Sequence, residues 1–237
     1  MYYGYGMFDP TFIILVPAII FTLFAQSKVK SAYSKYSKVL NSTGMTGMQA
    51  ARRILDANGM RHVPIEMVAG HLTDHYDPQN DVMRLSNDVY NGKTIAAVSI
   101  AAHESGHAIQ DGSSYAFLKF RSKIVPVVNL ASTASWPLIL IGLMIIWSGR
   151  SFELGDMIFD LGVVFFLVVI LFHLVTLPVE LNASKRAIVQ LVDLGIISSV
   201  ETKGAKKVLS AAAMTYVAAL ATAVANLVRI LLIRGRE

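Results

Sequence analysis

Residues 94–111 read TIAAVSIAAHESGHAIQD, and the reading of this stretch decides the fold. Its first nine residues are small and apolar, which predicts a helix over 94–111 that is buried inside a domain. Positions four apart share one face of a helix, so His103 and His107 can offer two imidazoles to one metal ion. Glu104, one step round, can reach an attacking water rather than the metal. Two His ligands, a carboxylate base and an activated water are the parts of a zinc hydrolase site. The bland alternative, a helix with two surface histidines and a glutamate, fits poorly with such apolar flanks.

The rest of the chain is unusually apolar. Of 237 residues, 54% are hydrophobic and 16% charged, outside the range of ordinary soluble domains. There is no cysteine, so disulfides and thiolate-held zinc are excluded, and any zinc must use His and carboxylate. Four stretches are long and apolar enough to span a bilayer: 8–26, 124–147, 157–178 and 208–233. The last is rich in Ala, Ser and Thr, which suits helix packing more than lipid. Pro17 and Pro137 predict kinks in the first and second spans. A cleaved signal peptide is disfavoured for the first, because the preceding MYYGYGMFD is not basic and no small-residue cleavage site follows before Lys28.

Charge sets the expected orientation. Seventeen of the 21 Lys and Arg residues fall in 28–123 and 178–207. Those segments are therefore expected in the cytoplasm, with both termini outside. The basic residues mark orientation, and no nucleic-acid partner is expected. Arg229, Arg234 and Arg236 are the contrary signal, and they are outvoted.

The segment 28–123 is long enough for a small domain. Thr46 and Gln49 form a capping box that starts a helix running to Asn58, with Gly59 as its stop. His62–Ala69 reads as a strand and His71–Asn80 as a polar turn. Asp81–Ser86 alternates like a half-exposed strand. The strand near Val82–Leu85, taken as an edge beside the metal helix, is expected to pair with an extended peptide. After the third span, 179–207 reads as a polar helical segment. Gly195 is its break, and Ser198 with Glu201 caps the helix that enters the fourth span.

A catalytic zinc needs a third protein ligand and an open position. Glu180 is the choice, because the third span returns the chain to the side that holds His103. An unpaired carboxylate there would be costly, and a metal offsets the cost. Pairing of Glu180 with Lys185 or Arg186 is the competing reading. Ser184, one turn on, can orient a ligand from behind. His75 and His71, set among Asp74, Asp77 and Asp81, are the rivals: a second metal site or an oxyanion-stabilising role is one reading, and a solvated turn that caps the strand is the favoured one. His173 lies inside the third span and reads as a neutral His bonded to a neighbouring helix.

LTDHYDPQNDVMRLSNDVYNGKTIAAVSIAAHESGHAIQ (72–110), followed by LPVELNASKRA (177–187), closely resembles the YugP-like family of bacterial membrane zinc metallopeptidases. The resemblance covers nearly the whole chain. More distantly, HExxH followed by two spans and Glu-x-x-Ala is similar to the membrane gluzincins, including the heat-shock membrane proteases and the CAAX prenyl proteases. The resemblance implies His103, His107 and Glu180 as ligands of one zinc, with Glu104 as general base. The distant relatives have Asp where this chain has Ser184, which weakens inference about what supports the ligands.

The expected fold is a mainly α integral membrane protein. It has about four transmembrane helices and a small cytoplasmic α+β zincin-like domain with a short edge strand beside the HExxH helix. The expected function is a zinc metalloendopeptidase of the bacterial plasma membrane, multi-pass, with its site facing the cytoplasm. Its expected partners are protein or peptide substrates, membrane-associated ones above all, the lipid bilayer, and accessory membrane proteins not identifiable from sequence. A non-catalytic zinc-dependent scaffold of the same fold is the alternative, and intact Glu104 argues against it. A site-2-type intramembrane protease would need a longer apolar helix before His103. A metal transporter would need polar groups across the spans, which hold few beyond His173, Asp160 and Asn226.

Overall fold

Unbroken apolar runs build the longest elements, because a helix satisfies its own backbone wherever water is absent. The computed structural model describes residues 10–149 and 151–235. In chain order the helices are α1 (Leu15–Tyr36), α2 (Gly47–Ala57), the single turn α3 (Asn87–Tyr90), α4 (Ile95–Gly112), α5 (Ala116–Trp147), α6 (Phe152–Asp193) and α7 (Thr202–Arg234). The strands are β1 (Ile65–Val68), β2 (His75–Asp77) and β3 (Val82–Ser86). Among the described residues α1 with its preceding turn, α5, α6 and α7 are the helices long and apolar enough to cross a membrane. Phe8 and Asp9 of the first expected span, and Arg150 and Arg236 of the charge count, lie outside the described residues.

Of the prolines within these helices, Pro17 alone sits in a first turn, where a helix tolerates it readily. A 3₁₀ turn over Pro10–Ile14 becomes α-helical just before Pro17, so the missing N–H falls in the first α turn. Pro126 and Pro137 lie inside α5, and Pro178 inside α6, without ending either helix. The third expected span and the polar segment after it, as far as Asp193, are thus one helix.

The chain divides into two compact units. One comprises the described parts of Met1–Phe24, Phe120–Thr176 and Tyr216–Glu237. Its core gathers Ile139, Leu143, Phe159, Phe166, Ile170 and Ile230. Gly142 lets two backbones meet there, since a Cβ on it would lie 2.6 Å from the Phe159 nitrogen. Small residues at such crossings are how apolar helices gain contact without a hydrophobic driving force.

The other unit comprises Ala25–Lys119 and Leu177–Thr215. Its core joins Ile54, Leu55, Met83, Leu85, Val98 and Leu191, all fully buried. The capping box forms as the sequence implies: Thr46 Oγ1 accepts from Gln49 N at 3.2 Å, and Gln49 Oε1 accepts from Thr46 N at 2.9 Å. Gly59 follows with φ at +75° and ends the helix. Glu201 accepts from Ser198 N and from Ser42 N, both at 2.7 Å, so the cap of α7 is also tied to the loop after α1. Thr94 caps α4 by accepting from Ala97 N at 3.2 Å, and α4 is buried along nearly its whole length.

The sheet corrects one expectation. Its order is β1-β3-β2, with β1 parallel and β2 antiparallel to β3. Val82–Leu85 is therefore in the centre and has no free edge. The edge strand beside α4 is β2, in the stretch read from sequence as a polar turn.

Candidate metal centre

The i, i+4 spacing on α4 brings His103 and His107 together, with ring centroids 4.7 Å apart. Glu180, on α6, meets them. Its Oε2 lies 3.2 Å from His103 Nε2 and 3.7 Å from His107 Nε2. One donor atom from each of the three lies within 4.8 Å of the others, and no other such group occurs among the described residues. The Glu180 side chain is only 4% exposed. A carboxylate so buried is costly unless it meets positive charge or a cation.

Each ring is also held from behind. His103 Nδ1 lies 3.2 Å from Ser184 Oγ, and His107 Nδ1 lies 3.0 Å from Gln110 Oε1. A proton kept on Nδ1 leaves the Nε2 lone pair for a metal. Two imidazole nitrogens and one carboxylate oxygen suit zinc and leave a fourth position open. Burial disfavours the charged form of His107, but the Glu180 and Glu104 carboxylates outweigh it and hold the ring above its ordinary pKa. A cation arriving there must displace that proton.

The close crossing of α4 and α6 depends on small residues. A Cβ on Gly106 would lie 2.6 Å from the Ala183 carbonyl oxygen. That contact is with backbone and cannot be relieved by a side-chain rotation. Gly106→Val should therefore push α6 off α4 and lower stability by about 1–3 kcal/mol. A thermal melt checks this, and an unchanged melting temperature would show that the crossing has slack.

Glu104 is nearly buried, and its Oε2 accepts from Tyr76 N on β2 at 3.1 Å. Tyr76 in turn fixes β2 against α4. Its hydroxyl donates to Asp81 Oδ1 at 2.7 Å and lies 3.1 Å from Asp111 Oδ2. Burial, then the hydrogen bond to Asp81 and the Asp111 charge, push the phenol pKa well up, so it stays a donor.

The remaining candidates sit elsewhere. The His75 side chain is exposed, and its Nδ1 lies 2.8 Å from the Thr73 carbonyl. His71 packs edge-on against Tyr33, with its Nε2 3.9 Å from Asp88. Asp74 accepts from Ser86 N at 2.7 Å, and Asp77 pairs with Arg84 at 3.0 Å, so both serve the sheet. His173 lies in the other unit, beside Phe172. Arg186 donates to Asn182 at 2.8 Å. Gln110, Tyr76 and Gly106 were not singled out from sequence. Only Gln110 carried a signal, three residues after His107 on the same helix.

Comparison with known proteins supplies a family. A model described as "Putative neutral zinc metallopeptidase" matches residues 11–235. A curated Bacillus subtilis protein named "Putative membrane protease YugP" is 48% identical over 226 residues, covering 94% of this chain and 97% of that protein. No solved structure matches significantly.

Proposed function

The chain belongs to the neutral zinc metallopeptidase family, and we propose that it is an endopeptidase working at the cytoplasmic face of the bacterial plasma membrane. In this reading His103, His107 and Glu180 hold one zinc per chain, and Glu104 is the general base. The observation that carries it is the convergence of His103, His107 and Glu180 beside a buried carboxylate one residue along the same helix. The cytoplasmic placement rests on the Lys and Arg distribution.

Zinc held by His103, His107 and Glu180 would supply a Lewis acid able to polarise a peptide carbonyl and acidify an attacking water. Glu104 takes the proton from that water and delivers it to the leaving amine. The Tyr76 amide holds the carboxylate in place between those two transfers. A substrate lying along β2 would have its backbone beside Glu104, where the outward Tyr76 amide is already committed to that carboxylate. Glu180 lies two residues past the expected end of the third span, which favours substrates at or in the membrane surface.

The test is zinc content and casein hydrolysis by the whole protein in mild detergent, with and without a chelator. About one zinc per chain is expected, with hydrolysis abolished by the chelator and restored by zinc. Zinc uptake should weaken as pH falls, because His107 then keeps the proton that the metal must displace. A chain without zinc overturns the reading. A chain with zinc and no hydrolysis of any peptide substrate favours the scaffold.

A further inference from the structure

Gln110 is fully buried, an expensive place for an amide unless its polar atoms are paired. Its partners are all near the candidate metal centre. Oε1 lies 3.0 Å from His107 Nδ1. Nε2 donates to the Val179 carbonyl at 2.8 Å and to Asn182 Oδ1 at 3.0 Å. Val179 is the chain neighbour of Glu180. One side chain therefore touches both an imidazole on α4 and the turn of α6 that carries the carboxylate.

The direction of the amide matters. Val179 O can only accept. Asn182 Oδ1 also only accepts, and it already receives Arg186 Nε at 2.8 Å. Two acceptors facing one end of the amide require its NH₂ there. The carbonyl end must then face His107 Nδ1, and it can only accept. A flipped amide would set oxygen against two oxygens and offer an N–H to Nδ1. His107 would then carry its proton on Nε2, the nitrogen that faces Glu180.

We propose that Gln110 is a positioning residue that selects the Nδ1–H tautomer of His107 and ties it to the Glu180 segment, so that the donor set stands ready for zinc. The proposal rests on the reading of His103, His107 and Glu180 as zinc ligands. Gln110 itself touches neither substrate nor metal.

The test uses the whole protein in detergent. Gln110→Met keeps the side chain's volume and removes both kinds of hydrogen bond. Zinc affinity, measured by competition with a chelator, should fall tenfold to a hundredfold, as for other partners behind a metal-bound histidine. The visible spectrum of the cobalt(II)-loaded variant should shift from that of the wild type. A purely packing role would move the melting temperature and leave both readings alone, and that result overturns the proposal. Ring-nitrogen NMR on the zinc-loaded wild type is the second measurement, and it stands even if the variant does not fold. It should show His107 with its proton on Nδ1, and a metal-bound or bare Nδ1 overturns the assignment. Wild type that takes up no zinc removes the underlying reading itself, whereas zinc uptake with an unaffected Gln110→Met removes only this one.

Discussion

Glu104→Gln should lose peptide hydrolysis by about 10²–10⁴-fold and keep its zinc, the range over which a positioned general acid–base group contributes. The substitution is nearly isosteric, and the amide oxygen can still accept from Tyr76 N, so β2 has no reason to leave α4. None of the three converging donors is touched. On the proposed mechanism, what would be lost is the ability to take a proton from water and return it to the departing amine. The measurement pairs kcat/KM on a peptide with metal content of the same sample. Full activity in this variant removes Glu104 from the mechanism. Joint loss of zinc and activity shows that the carboxylate serves the metal instead.

The fold was legible where one signal dominates. Hydropathy alone places α1, α5, α6 and α7, because roughly twenty apolar residues in a row have few other uses. The caps at Thr46 and Ser198 were legible because a short side chain and a Gln or Glu three residues later form a local, self-contained motif. The sheet was not. β3 reads as half-exposed because Arg84 interrupts it, yet Arg84 pairs with Glu66 on β1 and Asp77 on β2, the two strands that flank it. An arginine paired on both sides looks, in sequence, the same as one facing water. β2 was hidden for a different reason. It is three residues long, and Asp77 accepts from the amides of Gln79 and Asn80, so the stretch has the composition of the turn it leads into.

The candidate site divides in the same way. His103, Glu104 and His107 are carried by helical spacing, which sequence records directly. Glu180 needed the topology of the spans, and Ser184 followed from one turn of helix. Gly106 has no meaning until the close approach of α4 and α6 is known. Tyr76 reaches Glu104 through its backbone amide, and no side-chain pattern can report that.

Glu180→Ala should release zinc, with an affinity loss beyond the tenfold to hundredfold typical of partners that only support a ligand. Two imidazoles from one helix would remain, one donor short of the three protein ligands of catalytic zinc sites. His103 Nε2 would lose the carboxylate 3.2 Å away, and His107 Nε2 the one at 3.7 Å. Hydrolysis should disappear together with the metal, unlike in Glu104→Gln, where the two separate. His75→Ala is the comparison, since its ring is exposed and bonded to the Thr73 carbonyl. It should bind zinc as the wild type does. Metal analysis of the three proteins after dialysis, with melting curves to show that each is folded, decides the matter. Zinc retained in folded Glu180→Ala removes Glu180 from the ligand set. Zinc lost in His75→Ala means that β2 contributes a ligand, and the site must then be built around the edge strand.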